Sequence, residues 1–165
     1  MNITSTQNPL IKKIALLSEK SRERKKQGLC VVEGAREIRL ALQGGYSLEN
    51  LLYQPDIFSE KQLTELLGYT DQKVTPIAIS KEVYEKISYR SSTEGVIALV
   101  QVKKHGLDTL VFKNKKPLLL VAEAPEKPGN IGALLRTADA AHIDAVIIAN
   151  PKTDLYNPNI IRSSV

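Results

Sequence analysis

Apolar positions along the first hundred residues switch repeatedly between helical and strand spacing. Leu10, Ile14 and Leu17 recur at helical intervals behind Asn8-Pro9, a capping residue followed by a proline suited to the first helical turn. They predict a helix from Pro9 to about Ser21, with the basic run Arg22 to Lys26 at or beyond its C-terminal end, where cations suit the helix dipole. Gly28 then breaks the pattern, and the apolar run Leu29 to Val32 predicts a buried strand, followed by a turn at Glu33-Gly34. Helix is expected over Ala35 to Gln43, ended by Gly44-Gly45, with a short strand at Leu51 to Tyr53. Ser59 and Gln62 have capping-box spacing ahead of Leu63, Leu66 and Leu67, so another helix is expected there, followed by a strand over Val74 to Ile79. Ser80 caps a helix with Val83 and Ile87 on its apolar side, and the polar stretch Tyr89 to Glu94 leads through Gly95 into a strand over Val96 to Val102. Four helices alternating with four strands predict an α/β domain over residues 1–102.

Residues 103–116 mix basic residues, Gly106 and the weak apolar segment Leu107 to Phe112, and are expected as a linker, part of it helical. From Pro117 the pattern is strand (Leu118 to Ala122), loop (Glu123 to Gly129), helix (Asn130 to about His142), strand (Asp144 to Ala149) and loop. Residues 117–165 therefore predict a βαβ unit with parallel strands and a right-handed crossover, and Asn157-Pro158 predicts the cap of one more helix. So small a unit buries too little surface to stand alone, and is expected to lean on further chain, on the first domain or on a second subunit.

The net charge of +5 becomes informative once it is located. Residues 1–36 hold eight Lys/Arg (Lys12, Lys13, Lys20, Arg22, Arg24, Lys25, Lys26, Arg36) against three acids, which is the whole excess, while the other 129 residues carry fifteen of each sign. A local basic patch favours a polyanion such as RNA through phosphate contacts and counterion release, although a solvated helix end accounts for the same charges. No run approaches the roughly 18 apolar residues of a membrane span, and the polar N-terminus is unlike a secretion signal, so a cytoplasmic protein is expected. The single cysteine, Cys30, sits in an apolar run and reads as a buried strand residue rather than a nucleophile. His105 and His142 lack partners at ligand spacing, which leaves a metal site unsupported.

The densest chemistry lies in Glu126-Lys127-Pro128-Gly129-Asn130-Ile131-Gly132-Ala133-Leu134-Leu135-Arg136-Thr137-Ala138-Asp139. It puts Pro and Gly in a strand-to-helix loop, Asn130 at the helix N-terminus, the small pair Gly132-Ala133 where the helix is expected to approach the sheet, and Arg136 roughly 9 Å beyond Asn130 along the axis. Arg136 is long enough to reach a phosphate or ribose over the carboxyl ends of the strands. A purely structural reading also accounts for each residue: a tight turn, an N-cap, and a surface cation near Asp139. The segment lacks Gly-x-x-x-x-Gly-Lys-Ser/Thr and a full Gly-x-Gly-x-x-Gly, which counts against a P-loop and weakens a dinucleotide site.

Pro128 to Ala133 with Arg136-Thr137-Ala138 resembles the first signature motif of the SpoU/TrmH RNA 2′-O-methyltransferases, and Asn157 to Ser164 resembles the start of their second. Asn8 to Lys12, Arg22 to Lys26, Val32-Glu33-Gly34-Ala35-Arg36 and Glu94-Gly95-Val96 are similar to that family's substrate-binding domain. The resemblance implies a ribosomal-protein-like RNA-binding domain followed by the first part of a knotted (SPOUT) α/β methyltransferase domain. It also implies S-adenosylmethionine as cofactor, methyl transfer to a ribose 2′-OH of rRNA or tRNA, and a homodimer. Asn130 and Arg136 match the first motif's catalytic positions, and Arg162 matches the second motif's arginine. The RNA-binding set is then Arg22, Arg24, Lys25, Lys26, Arg36 and Arg162. The family's usual aromatic-glycine pair after the first helix is Ala141-His142 here, with His142 expected as a terminal helix residue. The third motif, which supplies most of the cofactor pocket, is expected beyond Val165, so residues 1–165 are expected to be inactive alone. The competing expectations are a non-catalytic RNA-binding module and a nucleotide-binding α/β protein using the turn after Ala122.

Overall fold

A computed structural model describes residues 2–89 and 94–165, which form two units, Met1–Val102 and Lys103–Val165. Residues 90–93 of the polar stretch before Gly95 lie outside the described residues. In the first unit, five strands run β1 (Asn2–Ile3), β2 (Leu29–Glu33), β3 (Leu48–Tyr53), β4 (Ile77–Ile79) and β5 (Val96–Gln101). They form one mixed sheet in the order β1-β4-β3-β5-β2. β4 is parallel to β1 and β3, and β5 is antiparallel to β2 and β3. β5, flanked by β3 and β2, is buried from Val96 to Val100, as its unbroken apolar run requires.

Helix α1 (Pro9–Glu19) starts where expected: Asn8 accepts from the Leu10 amide, with Pro9 in the first turn. Its stripe Ile11, Ile14 and Leu17 packs with Val83, Tyr84 and Ile87 of α5 (Lys81–Ile87) over Leu29, Val31, Leu52, Ile97 and Leu99. Each such buried side chain contributes about 1.5–3 kcal/mol. Strand alternation turns Ala98 and Val100 to the other face, where α3 (Ala35–Gln43) packs on β2 and β5 beside α4 (Glu60–Leu67). The capping box at Ser59 and Gln62 starts α4 as predicted.

β3 begins at Leu48, three residues before its expected start, β4 begins at Ile77, three residues after its own, and two further elements were not expected at all. The helix expected over Pro9 to Ser21 ends at Glu19; Lys20 turns to an extended backbone, and the basic run forms its own helix, α2 (Ser21–Gln27), closed by Gly28 at φ 65°. β1 is not foreshadowed by its two residues; it exists by pairing with β4, which buries Ile3.

Tyr84 is buried and its hydroxyl accepts the Gly95 amide at 3.0 Å. Burial pushes its phenol up to about 12; the Gly95 bond lowers it, and Glu33 and Glu94 raise it further. Below the unfolded value of about 10 the phenol is neutral in both states, and above it the unfolded chain ionises first. Stability should therefore fall between pH 10 and about 12, by about 3 kcal/mol at most, with Tyr84→Phe flattening that decline in urea titrations across the range. An unchanged slope in the Phe variant would assign the alkaline loss to other groups.

The second unit pairs β6 (Leu119–Glu123) with β7 (Ala145–Ala149) in parallel, Leu119 opposite Ala145, joined through α6 (Pro128–Ala140) and followed by α7 (Pro158–Ser163). Residues 103–116, expected as a linker, are tied to this unit at Lys103, His105 and Asn114. Tyr156 Oη accepts the Lys103 amide at 2.8 Å, donates to the Lys103 carbonyl at 3.0 Å and stacks on His105. Asp144 accepts from Asn114 Nδ2 and from the Leu118 amide. Among the described residues, no helix is long and apolar enough to cross a membrane, and no His/Cys/Asp/Glu cluster is arranged to hold a metal ion. Cys30 is buried in β2.

Candidate functional site

Helix α6 begins at Pro128, two residues before its expected start, because proline is already set for a first helical position. Asn130 is therefore not the N-cap, which is Lys127; it lies within the first turn, exposed, with its amide bonded to the Lys127 carbonyl at 3.0 Å. Gly132 is buried, but the surface it meets is α7 and not the sheet. A Cβ there would lie 2.7 Å from Ser163 Cβ and 2.9 Å from the Ile160 carbonyl, so the two helices touch backbone to backbone. Ser163 turns its hydroxyl onto the Asn159 carbonyl at 2.6 Å. Arg136 is exposed one turn beyond Gly132 on the same stripe, and Arg162 immediately precedes Ser163. The contact thus brings the helices bearing Arg136 and Arg162 together.

The carboxyl ends of β6 and β7 are cross-linked. Asn150 Nδ2 donates to Glu123 Oε1 at 2.8 Å, and the Ala124 amide donates to the Ala149 carbonyl at 2.9 Å. Ala124 and Asn150 both take left-handed backbone, at φ 45° and 47°, so both strand ends turn sharply into the loops that lead to Asn130 and Asn157. Neither Glu123 nor Asn150 belongs to the sequence-predicted set. His142 lies past the end of α6 in a left-handed conformation, φ 53°, and is not a helix residue.

In the first unit the basic residues separate. Arg22, Lys25 and Lys26 are exposed on α2, and Arg36 is exposed at the start of α3. Arg24, expected to contact RNA, is instead 2% exposed, with Nη1 donating to the carbonyls of Leu17 at 2.6 Å and Ser18 at 3.1 Å. It closes the C-terminal end of α1 with its guanidinium turned into the protein. The segments Val32 to Arg36 and Glu94 to Val96 meet at one end of the sheet. The Gly34 amide donates to the Val96 carbonyl at 3.1 Å, and the Ala35 amide to Glu94 Oε2 at 2.6 Å. Gly95, at φ 77°, lies where a Cβ would come 2.7 Å from Ile57 Cβ, so any other residue is excluded twice over.

Residues 8–98 match the MRM3-like substrate binding domain, and residues 117–165 match the SpoU rRNA methylase family. The chain belongs to the SpoU/TrmH family. A Synechocystis protein named an uncharacterized tRNA/rRNA methyltransferase is 30% identical over 99% of this chain and 58% of its own. A solved RNA 2′-O ribose methyltransferase superposes with a TM-score of 0.82 at 38% identity, over 99% of this chain and 61% of its own. The SpoU methyltransferase AviRb from Streptomyces viridochromogenes, solved with the cofactor AdoMet, gives a TM-score of 0.84 at 28% identity, over 96% and 59%. The chain thus spans less than two thirds of the length of these SpoU/TrmH relatives.

Proposed function

We propose that this chain carries the RNA-binding unit and the first part of the reaction centre of an S-adenosylmethionine-dependent RNA ribose 2′-O-methyltransferase acting on rRNA or tRNA. The observation that carries the reading is the Gly132–Ser163 contact, which joins the helix bearing Asn130 and Arg136 to the helix bearing Arg162. Residues 1–102 serve as the substrate domain, with Arg22, Lys25, Lys26 and Arg36 facing phosphates. Residues 117–165 serve as the catalytic portion, and residues 103–116 connect the two.

S-adenosylmethionine, when bound, supplies an electrophilic methyl group. The rim of the parallel pair suits a nucleoside-type donor, since Glu123 offers carboxylate oxygens and the turned loops present backbone polar groups. This chain's own task is alignment. Arg136 holds the RNA phosphate with its guanidinium and orients the 2′-hydroxyl. Asn130 sets the geometry of the helix start, and Arg162 adds a second cation toward the same phosphate backbone. The exposed apolar side of β6, with Val121 61% exposed, supports a homodimer formed through this unit, and we assign the protein to the cytoplasm.

The test is methyl transfer from labelled S-adenosylmethionine to bulk RNA by the full-length protein, with the product mapped to a ribose 2′ position. Arg136→Ala should lower turnover by about ten- to a hundredfold, the worth of a charged hydrogen bond, with RNA affinity falling less. Methylation of a base would overturn the ribose 2′-O assignment, and RNA binding without methyl transfer would leave only a binding module.

A further inference from the structure

A groove of about 520 Å³ opens on the first unit between α3 and α4, remote in sequence from Asn130 and Arg136. The volume falls within the roughly 300–1,000 Å³ of small-ligand sites. Arg36 and Arg39 stand on its α3 side, and Tyr69, 44% exposed, follows α4. The Arg39 guanidinium lies 5.9 Å from the Tyr69 ring centroid. Phe58 and Leu66 make an apolar floor, and Gln62 and Glu65 supply hydrogen-bonding groups at the wall.

The charges are already sorted. The Glu94 carboxylate accepts from the Ala35 amide at the start of α3, so of the two lining carboxylates among the described residues, Glu94 and Glu65, one is already engaged at a helix end. An exposed aromatic face, two arginines and amide and carboxylate groups beside an apolar floor are the components that recognise a nucleotide. The ring stacks the base, the guanidinium groups take the phosphate, and the polar wall meets the base edge. A duplex hides its base faces and cannot use Tyr69. A protein helix would fill the apolar floor but needs carboxylates of its own to meet the paired arginines, and it is the alternative the test below separates.

We propose that this groove takes one unstacked nucleotide of single-stranded RNA, with the base stacked on Tyr69 and the phosphate held by Arg36 and Arg39. The inference rests on the RNA-binding reading above and deepens it: the substrate presents a splayed base to the first unit. Arg39 swings off the ring to admit the base, which costs little because both side chains are exposed.

The test is fluorescence polarisation of the full-length protein with a short labelled single-stranded RNA across a salt series. Tyr69→Ala should weaken binding by about five- to a hundredfold, the worth of one stacked base, while Tyr69→Phe keeps the ring and stays within about twofold of wild type. Arg39→Gln should reduce the slope of log affinity against log salt by about 0.7, one phosphate contact on a single strand. Wild-type affinity in Tyr69→Ala, or equal losses in the Phe and Ala variants, would overturn the groove while leaving RNA binding intact and the groove open to a protein partner. A wild-type protein without salt-dependent RNA binding would overturn the broader reading along with it.

Discussion

Gly132→Val should detach α7 from α6 and destabilise the second unit by about 1–3 kcal/mol, the range of an overpacked contact that the backbone must absorb. The obstacle is partly main chain. A Cβ at residue 132 would come 2.9 Å from the Ile160 carbonyl and 2.7 Å from Ser163 Cβ, and a carbonyl cannot rotate away as a side chain can. Alanine already places that Cβ, so Gly132→Ala should show most of the effect, and valine adds only its methyls. Adding Ser163→Gly to the alanine variant removes one of the two obstacles and should restore part of the stability, the signature of a direct contact. Hydrogen exchange across residues 158–163 is the appropriate reading, because loss of docking frees α7 before any change reaches the first unit. If protection in α7 is the same in Gly132→Val as in wild type, the close packing is not what holds the helix. The functional cost follows from position: Arg162 travels with α7, so a variant that frees the helix should also lose RNA methylation by the full-length protein.

The same contact shows what was legible in the sequence and what was not. Small residues at 132 and 133 imply a close approach, but spacing alone does not name the partner; the sheet is the usual one for a βα unit, and here it is α7. The α/β class was readable because the unbroken apolar run of β5 and the helical stripe of α1 stand out from their surroundings, and the SpoU/TrmH motifs placed Asn130 and Arg136 on the connecting helix. Helix α2 was not readable: Ser21 to Gln27 contains no apolar side chain, so no hydrophobic stripe exists to detect. His142 is a different case. It takes the left-handed position where the family's glycine is expected, which explains the glycine there and shows that this chain bears the strain instead. The α3–α4 groove leaves no mark in the sequence because Arg39 and Tyr69 are thirty residues apart and carry no motif.

Arg24→Met should cost about 2–4 kcal/mol, although the residue sits in the middle of the basic run and its substitution removes a charge like its neighbours'. The guanidinium bonds the carbonyls of Leu17 and Ser18 at the end of α1, and Lys20 breaks the helix immediately after, so no following amide continues the ladder to them. Methionine keeps the aliphatic bulk and supplies no donor, which leaves acceptors unsatisfied in a buried place; the loss is then electrostatic and not one of packing volume. Lysine should recover only part of it, because one ammonium on a flexible stem does not reproduce the planar fork. The contrasting substitution is Arg22→Gln with Lys25→Gln and Lys26→Gln. These side chains are exposed, so stability should stay within about 0.5 kcal/mol per site, while RNA affinity falls and its salt dependence flattens. Urea melts and RNA titrations on the two variants therefore separate the inward-facing arginine from the outward-facing cations. A stable Arg24→Met protein with weakened RNA binding would reverse that division, and would return Arg24 to the RNA surface on which its sequence neighbours place it.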